Sequence, residues 1–409
     1  MVKIAVMGHG VVGSGVAELL RKNAAHIAAK AGEEIVLERV LDLREFPDLP
    51  YADKFTKHFS DILNDPAIQI VVETMGGLTP AYDYVKACLL AGKSVVTSNK
   101  ELVAQKGDEL LAIAREKGLN FLFEASVGGG IPVLRPLDQC LAANEVSEVA
   151  GILNGTTNFM LTRMIEDGMQ FEEALALAQK RGYAERDPSA DIDGLDACRK
   201  ICILASLAFG KHVYPAQVRT EGIRQVTLTD VRLADALGGV IKLIGKAVRD
   251  GEHVSCAVAP MIVPKEHLLS DVRDVFNAIL VRGDAIGDVV FYGRGAGKLP
   301  TASAVLADVI DEVKHLRARK YLCWEAGAPD YATDYGLRPV KMLLRVRADA
   351  DRKADIAAAF GDIAFVDCDA LPQNELAFLT NAVTEKELRD VLAAVAGIEL
   401  VSRLRLAEL

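Results

Sequence analysis

Short apolar runs alternate with helical spacing over the first third of the chain. Lys3–Met7, Ile35–Leu41, Ile70–Glu73, Ser94–Thr97 and Phe121–Glu124 each read as a strand with little polar interruption. Between them the periodicity predicts helices over Val11–Lys22, Tyr82–Ala91 and Leu102–Lys117. Strands that are apolar on both faces belong to a parallel sheet covered by helices on both sides. The rhythm therefore predicts an α/β, Rossmann-type doubly wound sheet over residues 1–131.

The pattern changes at residue 132. A strand near Val146–Leu153 is followed by helices at Asn158–Glu166, Phe171–Lys180 and Leu195–Ala208. Val240–Val248 and His253–Ala259 flank Asp250-Gly251, a strong hairpin signal. Strands mixed with helices, without a repeating βαβ unit, predict an α+β domain over residues 132–325. The helix Pro300–Arg317, with a proline in its first turn, is expected to pack back on the first domain. Ala326–Pro339, rich in Gly, Pro and Asp, reads as a linker. Residues 338–409 then give strand, helix, two strands, helix, strand, which is the ferredoxin-like plan.

Composition narrows the partners. Half of the 409 residues are hydrophobic (51%) and 25% are charged, as in ordinary globular proteins. A formal charge of −10 argues against nucleic acid and against an anionic membrane, each of which asks for a concentrated basic face. The longest apolar stretch, Ile201–Phe209, is broken by Ser206 and falls far short of the ~20 residues a bilayer helix needs. The N-terminus MVKIAVMGHG lacks the plan of a signal peptide. Seven scattered cysteines without a CxxC pair read as reduced thiols of a cytoplasmic protein. Cys198 and Cys202 share a helix face, but with no histidine nearby they read as core rather than as zinc ligands.

The first candidate chemistry is Gly8-His9-Gly10-Val11-Val12-Gly13, a GxGxxG placed after a strand and opening a helix. Gly8 makes the tight turn, Gly10 lets backbone approach a pyrophosphate, and Gly13 permits close helix–strand packing. Val11 and Val12 then lie at a helix N-terminus that offers N–H groups to the anion. Asp42, at the end of the second strand, would accept from the adenosine ribose and repel a 2′-phosphate, whereas Arg44 would clamp that phosphate. The two signals conflict, so NAD is favoured and NADP stays open. Asp42 follows Gly13 by 29 residues rather than the usual ~20, which requires a long first helix and loop.

The second is AQKRGYAERDPSADIDGLDACRK, residues 178–200. Asp187-Pro188 and Asp193-Gly194 make a turn-rich loop, with Asp193 as a candidate helix cap. Asp196 and Lys200 are i,i+4 on the following helix; taken alone, such a pair is usually a solvated salt bridge. The carboxylate-rich loop before it and the apolar Ile201-Cys202-Ile203-Leu204 after it suit the wall of a cleft instead.

This stretch resembles the signature of the homoserine dehydrogenases at every fixed position. GHGVVG, Thr97-Ser98-Asn99-Lys100, Glu124–Pro132, Asn154–Asn158 and Gly293–Gly297 agree with the same family, in its order. Residues 338–409 are similar to an ACT domain, and no kinase segment precedes the glycine loop, which suits the monofunctional form. The resemblance implies NAD- or NADP-dependent interconversion of L-homoserine and L-aspartate 4-semialdehyde, in the branch leading to threonine, methionine and isoleucine. It makes residues 132–325 a catalytic and dimerisation domain and implies a homodimer or homotetramer.

It also implies roles. Lys200 becomes the proton donor, and the base in the reverse direction. A free lysine, with pKa ~10.4, donates easily but needs that value lowered to act as a base, and Lys100 is the second cation implied to do so. Glu185 and Asp196 are implied substrate carboxylates. Gly297 is implied to contact the nicotinamide side of the cofactor through its backbone. Glu124 with the carbonyls of Val127, Gly129 and Ile131 is implied to hold a monovalent cation, Na+ or K+, hard oxygen donors suiting an alkali ion. An interdomain hinge is the competing account of that glycine-rich run. Asn154-Gly155-Thr156 matches a glycosylation sequon but reads as a tight turn, and His9 reads as a tolerated position in the glycine loop. The first loop of the C-terminal unit, Ala348–Arg352, lacks the Pro-Gly of many amino-acid-binding ACT domains, leaving threonine regulation and a purely oligomerising module both open. Two rivals to the family reading remain: another nicotinamide enzyme on the same scaffold, and a non-catalytic dinucleotide sensor.

Overall fold

The computed structural model describes residues 1–318 and 322–409. The chain divides into two compact units. One comprises Met1–Ser147, Cys202–Pro215 and Arg282–Ala328. The other comprises Glu148–Ile201, Ala216–Val281 and Pro329–Leu409.

The first unit opens with β1 (Val2–Met7), α1 (Val11–Lys22), α2 (Ala24–Ala31), β2 (Ile35–Leu41), β3 (Phe55–Thr56), α3 (Ser60–Leu63) and β4 (Ile68–Glu73). It continues with α4 (Ala81–Leu90), β5 (Ser94–Thr97), α5 (Lys100–Lys117) and β6 (Phe121–Leu122). The six strands form one sheet in the order β3-β2-β1-β4-β5-β6, every neighbour parallel. The strand order reverses between β1 and β4, so the segments leaving those two strands diverge and open a crevice at their C-terminal ends. The glycine loop leaves β1 there. The extra length between Gly13 and Asp42 is supplied by α2, a second helix where the periodicity predicts only a long loop.

The strands β7 (Val146–Ile152), β8 (Arg219–Thr220), β9 (Gly239–Asp250), β10 (His253–Pro264), β11 (Phe276–Gly283) and β12 (Gly287–Arg294) follow along the chain. The helices between them are α6 (Gly155–Asp167), α7 (Phe171–Lys180), α8 (Ser189–Ile192), α9 (Leu195–Phe209) and α10 (Leu228–Ala236). Next comes α11 (Lys298–Lys314), in the first unit. It packs against α1 so closely that a Cβ on Gly15 would stand 2.9 Å from the Lys298 carbonyl oxygen. Val305 and Val309 of α11 join Val16, Leu20, Val6 and Val72 in that unit's core.

The chain ends with β13 (Ala332–Asp334), β14 (Met342–Arg347), α12 (Lys353–Phe360), β15 (Ala364–Phe365), β16 (Glu375–Leu379), α13 (Glu385–Ala394) and β17 (Glu399–Leu406). In the second unit the main sheet runs β11-β7-β9-β10-β17-β14-β16-β15. The β9–β10 hairpin turns at the expected Asp250-Gly251 and pairs twelve residues from each strand. The last four strands are antiparallel neighbours, and β17 pairs parallel with β10 through Met261–Arg405 and Ile262–Leu406. The expected linker is in part ordered structure. Ala332–Asp334 pairs with Val254–Cys256 of β10, and Tyr335 is buried against Met342 and Leu344. Its Gly, Pro and Asp content hid an edge strand only three residues long, too short for alternation to register.

Candidate functional site

In the first unit, Gly8 sits at φ +94°, where a side chain would be strained, and a Cβ on Gly13 would lie 1.9 Å from the Gly8 carbonyl oxygen. The turn thus needs glycine at both positions. Thr74, just after β4, fixes it from the other side by donating its hydroxyl to the Gly8 oxygen at 2.9 Å. Gly10 has open space before it, and as the N-cap of α1 it supplies no side-chain hydrogen bond. The first turn holds no acidic residue, and Val11 is 67% exposed. Amides at the start of α1 therefore face an open, electropositive helix end, the arrangement a pyrophosphate requires, and the residues present fit a dinucleotide.

Asp42 stands beside the glycine loop at the end of β2. Its carboxylate accepts four hydrogen bonds: from His9 N at 2.8 Å, Arg44 N at 3.0 Å, Arg44 Nε at 2.9 Å and Arg44 Nη2 at 2.8 Å. The Arg44 guanidinium, hydrogen-bonded in bidentate fashion, holds this carboxyl well below the usual carboxylate range. A carboxylate offers about four lone-pair sites, so in this conformation Asp42 is committed to Arg44 and the glycine loop. Arg44 and Lys57 line a cavity of 280 Å³ beside it, with Phe46, Phe55 and Thr56.

At the far ends of β4 and β5 a buried carboxylate organises two loops. Glu73, fully buried, accepts from Met75 N at 2.7 Å and Gly76 N at 3.2 Å, and Thr97 Oγ1 donates to it at 2.5 Å. Burial pushes its carboxyl up, and these hydrogen bonds oppose the rise. Thr97 Oγ1 in turn accepts from Asn99 N, and Asn99 Oδ1 caps α5 by accepting from Leu102 N. Lys100 is thereby fixed as the first residue of α5.

The loop Glu124–Ile131 is buried except at Gly130. Glu124 accepts from Val133 N, Leu134 N and Arg135 N at 2.6–2.9 Å, which turns the chain after Pro132. Gly128 and Gly129 both take positive φ, and a Cβ on Gly129 would stand 2.4 Å from the Gly295 carbonyl oxygen. The structure thus brings this loop against the turn that carries Gly297, the residue at the start of α11 with φ +132°. Two left-handed glycines bend this loop, and Ile131 N donates to the Gly128 carbonyl oxygen across it. Three of the four lone-pair sites on the Glu124 carboxylate already serve backbone amides.

In the second unit, Lys200 is 7% and Asp196 4% exposed. The Lys200 ammonium donates to Asp196 Oδ2 at 2.7 Å and to the Leu153 carbonyl oxygen at 2.7 Å. The pair is therefore buried, unlike the solvated bridge that its spacing alone suggests. Asn154 completes the cluster: its Nδ2 donates to Asp196 Oδ2 at 2.9 Å and to Asp191 Oδ1 at 2.7 Å, while its Oδ1 caps α6 by accepting from Thr157 N. Burial, then the neighbouring Asp196 charge, raises the Asp191 carboxyl above its ordinary range. Glu185 is exposed on the loop after α7, its carbonyl oxygen accepting from Gln179. The carboxylate of Asp193 is engaged by Arg224, and the carbonyl of Gly194 accepts the first helical amide, from Cys198.

Sequence reasoning gave no role to Glu73, Asp191 or the Asn154 side chain. Glu73 carried no signal, being the polar end of an apolar strand. Asn154 reads as a tight turn before a helix expected from Asn158, whereas the helix begins at Gly155 with Asn154 as its cap; Asp191 lies in the carboxylate-rich loop. Among the described residues no three His, Cys, Asp or Glu side chains gather as a metal site, and no helix is long and apolar enough to cross a membrane.

A sequence model of the family described as homoserine dehydrogenase matches residues 132–310. A second, described as the NAD binding domain of homoserine dehydrogenase, matches residues 8–124. The homoserine dehydrogenase of Pseudomonas aeruginosa is 38% identical, with 98% of this chain and 96% of that protein covered. That of Synechocystis is 46% identical over 76% of this chain and 73% of its own length. The crystal structure of a homoserine dehydrogenase from Thiobacillus denitrificans superposes with a TM-score of 0.91 at 37% identity, covering 99% of this chain and 98% of that one. A hyperthermophilic archaeal homoserine dehydrogenase mutant in complex with NADPH gives a TM-score of 0.65 at 27% identity, covering 76% and 97%.

Proposed function

This chain belongs to the homoserine dehydrogenase family, oxidoreductases with an NAD-binding domain, and from that premise we propose that Lys200 is the group that gives and takes the reaction's proton. The observation that carries the proposal is the buried Lys200 ammonium, held at 2.7 Å by Asp196 and by the Leu153 carbonyl within the family's signature loop. A bound nicotinamide dinucleotide supplies or accepts the hydride. When L-aspartate 4-semialdehyde is reduced, hydride adds to the aldehyde carbon and the oxygen takes a proton from Lys200 Nζ. In the reverse direction the neutral amine removes the hydroxyl proton of L-homoserine as hydride leaves the carbon. Asp196 fixes the direction of the Lys200 side chain by accepting its hydrogen bond. Lys100 is the second active-site cation, and Glu185 and Asp196 are the carboxylates for the substrate ammonium, with Asp191 as a third.

Gly8, Gly10, Val11, Val12 and Gly13 take the pyrophosphate, and Gly297 the nicotinamide side. With Asp42 already saturated by Arg44, the ribose end no longer repels a 2′-phosphate. NADP is thus accepted without rearrangement, and NAD gains a ribose partner once Arg44 swings away. The NADPH complex of the archaeal relative supports a cofactor of this class. Val127, Gly129 and Ile131, with the remaining lone pair of Glu124, hold Na+ or K+. Residues 1–131, 132–325 and 338–409 act as dinucleotide-binding, catalytic and ACT-like parts of a cytoplasmic homodimer or homotetramer. The antiparallel order of β17, β14, β16 and β15 supports the last of these, through which threonine would regulate.

The test is turnover against binding. Lys200→Ala should lower homoserine-dependent reduction of NADP+ by at least about a hundredfold while leaving NADP+ affinity within about twofold. Equal turnover in the variant would remove Lys200 from the mechanism.

A further inference from the structure

His9 occupies a variable position of the glycine loop, yet it is only 6% exposed while its neighbours Gly8 and Gly10 are half-buried. Its ring stands edge-on to Phe46 at 4.6 Å between centroids, to Phe55 at 5.0 Å and to Tyr51 at 5.8 Å. Its Nε2 lies 3.0 Å from the Tyr51 hydroxyl. The backbone of the same residue is held from the same side: His9 N donates to Asp42 Oδ2 at 2.8 Å, and Arg44 Nη2 donates to the His9 carbonyl at 3.0 Å. One residue of the pyrophosphate-facing turn therefore touches five residues of the segment 42–55, which carries the ribose-facing pair. That segment is mostly irregular chain between β2 and β3, and Phe46, Tyr51 and Phe55 enclose the imidazole from three sides.

We propose that His9 is a positioning residue: its imidazole latches the glycine loop to segment 42–55, so that the two ends of a dinucleotide site are fixed relative to each other before the cofactor arrives. The inference rests on the reading of this unit as a nicotinamide dinucleotide site. A dinucleotide spans both elements, and a ligand that meets two prearranged elements does not have to order either one. The latch acts on cofactor binding alone. The imidazole is enclosed by aromatic rings, and neither hydride nor proton passes through it.

Three variants of the full chain test this: His9→Ala, His9→Phe and Tyr51→Phe, each titrated calorimetrically with NADP+ and assayed with homoserine. His9→Ala should raise the Kd and the KM for NADP+ about tenfold, with kcat at saturating NADP+ and the KM for homoserine within about twofold of the parent. His9→Phe, which keeps a ring in the cage, should recover most of the affinity, and Tyr51→Phe should weaken binding about threefold. If His9→Ala folds poorly, the last two variants decide the matter. Unchanged NADP+ affinity in the variants would overturn the latch, as would a proportional loss of kcat and of both KM values. A parent that binds neither NADP+ nor NAD+ would instead overturn the cofactor reading beneath it.

Discussion

At the scale of single residues, the chain spends burial on charge in two different ways. Lys200 and Asp196 are buried as a matched pair with Asn154 filling a further site, so neither ion stands uncompensated. Glu312 on α11 is fully buried with a neutral partner, Asn120 Nδ2 at 3.1 Å, and burial pushes its carboxyl up to about 8 from an ordinary 4.5. Below about 4.5 the folded and unfolded chains both carry this proton and the group contributes nothing. As pH rises from 4.5 to about 8 the folded chain retains a proton that the unfolded chain has released, so stability falls across that window. Glu312→Gln should flatten the fall: its melting temperature relative to the parent should rise steadily between pH 5 and about 8. A parallel pH dependence in both proteins would contradict this. Neither Glu312 nor Glu73 was legible in the sequence, because a carboxylate's burial is decided by elements far away along the chain. Lys200 was legible only through its company in the loop.

At the scale of elements, the sequence was most informative where one local rule settles the geometry. Strand, glycine turn and helix at residues 2–22 follow from apolar runs and φ, and the β9–β10 hairpin follows from Asp250-Gly251. The short pieces were lost, α2, α8 and β13 among them, since three to eight residues carry too little periodicity to separate from loop. Within the glycine turn, two substitutions should separate packing from binding. Gly13→Ala places a methyl against the Gly8 carbonyl and should cost about 2–3 kcal/mol of stability together with cofactor affinity. Gly10→Ala meets open space at φ −80° and should leave the melting temperature nearly unchanged, while weakening NADP+ at least about tenfold by occupying the approach to the helix end. Thermal denaturation and calorimetric titration of the pair check both halves.

At the scale of the molecule, the first unit carries the glycine loop of the NAD-binding domain, and the second carries the buried Lys200–Asp196 pair. The C-terminal strands are joined to the rest of the second unit by more than β17. Glu221 faces Arg405 at 2.8 Å and Arg219 and Arg403 at 3.1 Å, and it shares Arg405 with Glu385. Burial raises the Glu221 carboxyl, but the hydrogen bonds and charge of Arg405 outweigh it and hold the group at about 2. This stabilisation is fully present above about 4.5 and is lost as pH falls towards 2, so Glu221→Gln should remove part of the acid sensitivity seen in unfolding between those values. A crystal structure with NADP+ and L-homoserine bound tests the role of Lys200. Lys200 Nζ should lie within about 3 Å of the homoserine side-chain hydroxyl, with the nicotinamide C4 on the opposite side of the carbon that bears it. A complex in which that hydroxyl meets another proton carrier, with Lys200 still bound only to Asp196 and Leu153, would contradict it.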